Sequence, residues 1–284
     1  MKMKKLYFIH LFAIALLMMA SGSYAQTVKL ALVKGIKYEV STKMQTNSVA
    51  SVMGQEMENN MDNTTIQAVE VKESRSAETD LTAVTTKLQT SVTAMGQEMN
   101  YDSDKKDNSG PLAETFDKMV GKVKNFTLDA TGKLIKADKE ETEATLSVAL
   151  GGGEGAGFVL LHQSLIGKEM KPGNSWNDSV VNNTDKMKST TVGTYTVSTV
   201  NPEIHTAIVL FTGKQTGSGT IEQMGQEMAM TSSSNVESQY EVDINTGVIS
   251  KSSVITTGTS NIDAMGMSIP VSIKSTITTT IKLL

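Results

Sequence analysis

The sequence predicts a mainly β fold, with long antiparallel meandering strands arranged as two similar curved-sheet halves, each carrying one short helix. Three observations predict it: strict two-residue alternation, turn signals between the alternating runs, and landmarks that recur in the same order. Ile36, Tyr38, Val40, Thr42, Met44 and Thr46 alternate with Lys37, Glu39, Ser41, Lys43 and Gln45, so one face of this strand is buried and the other wet. The pattern returns at Val236, Ser238, Tyr240, Val242 and Ile244, and again from Val271 through Leu283. A parallel sheet would read as continuous apolar runs, which these are not. Threonine crowds the same segments, as expected for β-branched residues on a pleated surface.

Two segments break the alternation. Leu112, Phe116, Met119 and Val120 follow Pro111 at helical spacing, with Gly121 placed to end the turn. Phe158, Leu161, His162 and Leu165 form a second apolar stripe, ended by Gly167. Each predicts a short helix packed on a sheet.

The recurring landmarks divide the chain. Gly35-Ile36-Lys37-Tyr38 and Gly173-Asn174-Ser175-Trp176 each place a turn glycine three residues before an aromatic. Met-Gly-Gln-Glu-Met stands at 53 to 57, 95 to 99 and 224 to 228, and Asp129 to Gly132 parallels Asp243 to Gly247. The division is a first β-rich half over 26–150, a Gly-rich joint over 151–157, and a second half over 158–284 led by its short helix. In Met-Gly-Gln-Glu-Met, glycine is expected at the first central position of a II′ hairpin turn. The two Asp-to-Gly segments read as longer hairpin loops, Asp supplying a side-chain acceptor and Gly a left-handed residue.

Residues 1–25 read as a secretory signal peptide. Lys2, Lys4 and Lys5 precede an apolar run from Leu6 to Ala20, and Ser23-Tyr24-Ala25 supplies small residues for cleavage between Ala25 and Gln26. Losing those three lysines takes the net charge from -4 to -7. No later stretch reaches the roughly 18 apolar residues of a membrane helix, so a periplasmic or extracellular location without a transmembrane span in the mature chain is expected. Export also fits the absence of cysteine.

The order of leader, alternating strands, Met-Gly-Gln hairpins, the Pro-Gly-Asn-Ser-Trp turn at 172 to 176 and the Asp-Ile-Asn-Thr-Gly hairpin at 243 to 247 resembles an uncharacterised family of exported bacterial envelope proteins with a duplicated β-rich domain of unknown function. The resemblance implies an envelope location and a β-rich fold, and it transfers no catalytic residue. Many members are lipoproteins; the missing cysteine departs from that pattern.

Catalytic chemistry finds little footing. Gly151, Gly153 and Ala156 match a G-x-G-x-x-A loop, but the antiparallel alternation does not supply the βαβ units of a dinucleotide fold. No G-x-S-x-G elbow exists, and only His162 and His205 lie beyond the leader. His162 reads as a satisfied histidine at the edge of the core, and His205 as an exposed turn residue. Asp138 to Glu143 form a solvated charge run. With Arg75 the only arginine, a nucleic-acid groove is not expected. No enzyme activity and no cofactor is expected.

Methionine is in excess, with 18 in the chain. Met228 with Met230, and Met265 with Met267, place paired thioethers on one strand face, a pattern that suits Cu(I). The competing reading is that methionine fills irregular cores and lines adaptable apolar surfaces. The single Trp176 reads as a core anchor opening a sheet. With few aromatics, two curved sheets and small helical covers leave a concave apolar face, analogous to the half-barrels that carry lipids or lipoproteins. The expected function is a non-enzymatic envelope protein binding an apolar ligand or lipidated partner; the alternative is a structural or surface-interaction protein without a small ligand.

Overall fold

The computed structural model describes residues 26–137 and 160–284, apart from 95, 106–107, 109–110, 184–185, 224–225 and 265–266. The expected signal peptide, the expected Gly-rich joint and the charge run at 138 to 143 lie outside these residues.

In chain order the elements are β1 (Gln26–Thr27), β2 (Lys37–Val52), β3 (Gln55–Ser74), β4 (Glu78–Ala94), β5 (Gln97–Asp102), helix α1 (Pro111–Phe116), β6 (Val123–Asp129) and β7 (Leu134–Ala137). A single 3-10 turn (Gln163–Leu165) precedes β8 (Glu169–Met170), β9 (Ser175–Asn183), β10 (Met187–Asn201), β11 (Thr206–Gln223), β12 (Gln226–Asp243), β13 (Ile249–Ala264) and β14 (Met267–Leu283). The fold is thus nearly all antiparallel sheet, as the alternation predicts. β1 pairs with β8, and the others form one open sheet in the order β7-β6-β4-β3-β2-β14-β13-β12-β11-β10-β9, with β5 also on β4. The two stretches expected as separate halves meet in this sheet, because β14 pairs with β2 from Leu283 opposite Tyr38 to Val271 opposite Ala50.

The strands are long, up to the 20 residues of β3, which at about 3.3 Å per residue is roughly 65 Å. Burial is concentrated at one end. In β3, the buried positions are Thr65, Gln67, Val69 and Val71, all in its second half. One core gathers Tyr38, Val69, Leu81 and Phe126 from one side of the sheet with Tyr195, Val209, Val242 and Ile249 from the other. Strands so far apart in sheet order share a core only if the sheet curves around the face that bears these side chains, which is therefore concave.

The chain that enters this base closes it. Lys29 N donates to the Ile244 carbonyl, Ala31 N to that of Thr246, and Gly167 N to that of Val28. Val28, Leu32, Leu160 and Leu165 thereby fill the concavity. Ile166 lies between the two Asp-to-Gly loops, near Gly132 and near Gly247. Those loops are built as the sequence predicts. Asp129 Oδ1 accepts from the Thr131 and Lys133 amides, Asp243 Oδ1 accepts from those of Asn245 and Thr246, and Gly132 and Gly247 have φ of 80° and 76°.

The Gly35 and Gly173 turns also share one geometry. Gly35 N donates to Val71 O and Val71 N to Ile36 O, while Gly173 N donates to Val197 O and Val197 N to Asn174 O. Where β12 runs unbroken along β11, β4 is flanked by two collinear pieces: β5 opposite 89 to 94 and β6 opposite 78 to 84. α1 sits in that interruption and packs Ala113 and Phe116 on Leu88 and Tyr101.

Two expectations need correction. The stripe from Phe158 to Leu165 is not a helix in its described part: His162 is extended, with φ -126° and ψ 109°, and only the 3-10 turn follows. Its three-to-four spacing comes from an irregular segment dropping Leu161 and Leu165 into the base. The Met-Gly turns at 53 to 54 and 95 to 96 have a different phase, and the copy at 224 to 225 lies outside the described residues. Val52 and Gln55 close the first hairpin, so Met53 and Gly54 are its two central residues. Their φ values are 52° and 81°, the signs of a I′ turn, which matches the twist of the strands it joins. Gly96 likewise takes the second central position, between the closing pair Ala94 and Gln97.

Candidate ligand-binding face

The concave face changes character along the strands. At the base it is apolar. Above that runs a belt of hydroxyl and amide groups: Thr42 and Thr279 meet at 3.3 Å, Thr46 and Ser275 at 3.0 Å, and Asn63 donates to Thr90 at 2.8 Å. Beyond the belt the same face is apolar again. Met57 lies opposite Ala50, Ala50 opposite Val271, and Ile262 opposite both Ile269 and Met230. Among these, Met57, Ala50, Ile262, Ile269 and Met230 are only half-buried, and no helix or second sheet covers them among the described residues.

The closing pairs Val52 with Gln55, Ala94 with Gln97, Gln223 with Gln226 and Ala264 with Met267 all lie at the strand ends away from the base. Met53 at the first tip is 85% exposed. Met228 and Met230 are half-buried on one face of β12, as their spacing predicts, while Met267 is exposed on β14 with β13 between them. Met265 lies outside the described residues. Gln26, the first residue after the expected cleavage site, begins β1 opposite Met170.

The border between base and belt, on β9 to β12, is aromatic. Trp176 opens β9 and stacks on Tyr195 at 5.4 Å and 13°, and Tyr195 lies 4.6 Å from Phe211. His162 reaches this group from the connecting segment, 4.6 Å from the Tyr240 ring and 5.5 Å from the Tyr195 ring, edge-on to both. Its Nε2 is 3.4 Å from the Tyr195 hydroxyl. Burial lowers the imidazole pKa to about 4, against a smaller opposing pull from Asp178. The ring is therefore neutral at neutral pH.

Polar atoms here are incompletely satisfied. His162 Nδ1, Trp176 Nε1 and Ser238 Oγ are buried without a hydrogen-bond partner among the described residues. His162 is thus not the satisfied histidine expected from sequence. His205 also departs from expectation: it is half-buried at φ 53°, its Nδ1 is buried without a partner among the described residues, and its carbonyl accepts from Ile244 N. Trp176 is the anchor expected. In sequence Ser238 reads as one more small residue of an alternating strand, and nothing local marks its hydroxyl.

A model of a family of unknown function, DUF6263, matches residues 76–141, the stretch from β4 through β7. No curated protein matches the chain. Among solved structures, lipovitellin, determined for its lipid-protein interactions, is similar over 89% of this chain and 26% of its own, with a TM-score of 0.51 and 11% identity. The chain thus spans about a quarter of the length of lipovitellin, and the likeness concerns the fold. An outer membrane channel from Pseudomonas putida F1 aligns over 92% of this chain and 98% of its own, at 10% identity and a TM-score of 0.24. The translocator domain of the autotransporter NalP from Neisseria meningitidis aligns over 98% and 97%, at 8% identity and a TM-score of 0.23. Scores that low carry no argument about this chain.

Proposed function

We propose that the chain is a non-enzymatic, exported envelope protein that binds an apolar ligand or a lipidated partner on the concave face of its sheet. The observation that carries this reading is the half-buried apolar zone beyond the polar belt, where Met57, Ile262, Ile269 and Met230 line a curved face that no described element covers. Flexible thioethers suit acyl chains of differing shape. The likeness to lipovitellin supports the reading at the level of fold. Export rests on the leader at 1–25.

We also infer that the sheet arose from a duplicated unit. The matching hydrogen bonds of Gly35 with Val71 and Gly173 with Val197, and the paired Asp-to-Gly loops, support it. In this scheme β12 corresponds to β5 and β6 together, with α1 inserted into the first copy.

A structural role without a small ligand is the second reading. It is favoured by the buried belt, where Thr42, Thr65, Gln67 and Thr279 are nearly inaccessible, as in a face already filled. Displacement of an environment-sensitive apolar dye by acyl chains of increasing length separates the two. Each buried methylene contributes roughly 0.8 kcal/mol, so affinity should rise steeply with chain length; a folded protein that takes up neither dye nor chain would leave the structural reading.

A further inference from the structure

We propose that the aromatic border around Trp176, Phe211, Ser238 and His162 is the seat of an uncharged, hydrogen-bonding head group, that of a fatty alcohol or an acylglycerol. This rests on the apolar-ligand reading and states which end of the ligand sits where.

Buried polar atoms are nearly always paired, and each one left unpaired costs about 1–3 kcal/mol. Among the described residues five side-chain atoms are left so, and three of them, His162 Nδ1, Trp176 Nε1 and Ser238 Oγ, belong to this one group. They are connected by contact: Trp176 stacks on Tyr195, Tyr195 touches both His162 and Phe211, and Phe211 is the register partner of Ser238. Ser238 is only 6% exposed, so bulk water is a poor partner for its hydroxyl.

The donor set limits the ligand. Indole N–H only donates, the serine hydroxyl donates or accepts, and His162 Nδ1 does one or the other according to the tautomer set by Tyr195. A hydroxyl or an ester carbonyl answers such a set. Charge is disfavoured, because the same burial keeps His162 neutral. The charges near the site oppose one another: Lys168 Nζ lies 5.6 Å over the Trp176 ring, and Asp178 is two residues farther along β9. An alkyl chain leaving this seat would run along the concave face in the direction of the hairpin end.

The test is calorimetric titration of the mature chain with dodecanol, laurate and dodecyltrimethylammonium, which share a chain and differ in head charge. Dodecanol should bind at least tenfold more tightly than either ion. Ser238→Ala should weaken dodecanol about five- to tenfold and leave the ions unchanged, and Trp176→Phe, which keeps an aromatic ring and removes the N–H, should act in the same direction. Binding that rises with chain length but is equal for the three heads, and indifferent to Ser238→Ala, would overturn the seat while leaving the apolar-ligand reading intact. Failure of all three ligands, with no chain-length dependence, would overturn both.

Discussion

The ring of Phe211 occupies the space in which a side chain at Gly193 would stand. A Cβ there would lie 2.4 Å from the ring Cζ and 2.6 Å from the Thr212 carbonyl oxygen, and one at Gly213 would lie 2.5 Å from the same ring atom and 2.7 Å from the Val192 oxygen. The two glycines are register partners in β10 and β11. Their missing side chains let a large ring and the neighbouring carbonyls approach the backbone closely, at the border where the aromatic group begins.

Gly193→Ala should therefore destabilise the fold by about 1–3 kcal/mol through overpacking, read as a lower denaturant midpoint at unchanged slope. Trimming the ring in Gly193→Ala/Phe211→Leu should recover only part of the loss, because the Thr212 carbonyl remains in the way. Full recovery would mean that the Thr212 carbonyl yields to a methyl group at little cost.

The first Met-Gly hairpin makes the opposite prediction. Met53 holds φ 52° at an 85% exposed tip, a conformation that costs an ordinary L-residue about 1–2 kcal/mol and that asparagine adopts more readily. Met53→Asn should raise stability by up to about 1 kcal/mol, giving the Asn-Gly pair that I′ turns favour, whereas Gly54→Ala should lower it. Thermal melting of both variants checks the pair. A destabilised Met53→Asn would indicate that the methionine packs against something at the tip.

These two sites mark the limits of what the sequence discloses. Alternation placed the strands from Ile36, Val236 and Val271, and Asp129 and Asp243 announced their loops through side-chain chemistry confined to a few residues. The phase of the Met-Gly turns depends on which residues close the hairpin, Val52 with Gln55, and the motif leaves that open. The union of the two stretches through β2 and β14 joins residues more than two hundred positions apart and leaves no local trace. The stripe around His162 misled because an irregular segment that drops side chains into a core has the same spacing as a short helix. His162 is conspicuous in the sequence as one of two histidines beyond the leader, but its place beside Ser238 follows only from the register that brings β11 and β12 to one aromatic group.

His162 gives the last prediction. Burial holds its folded-state pKa at about 4, below the ordinary value of 6.5, so between those values the unfolded chain binds a proton that the folded one refuses. Stability from this group is complete above pH 6.5 and is lost as pH falls toward 4, where the loss levels off. A separation of that size corresponds to a loss on the order of 3 kcal/mol at most. His162→Phe keeps an aromatic ring against Tyr195 and Tyr240 and removes the titration. Carboxylates titrate in both proteins, so the informative quantity is the difference between their denaturant midpoints at pH 7 and pH 4.5. The wild type should lose more stability than the variant across that interval. Equal losses would mean that the imidazole takes up its proton in the folded protein as easily as in water, and that the aromatic border is wetter than its packing implies.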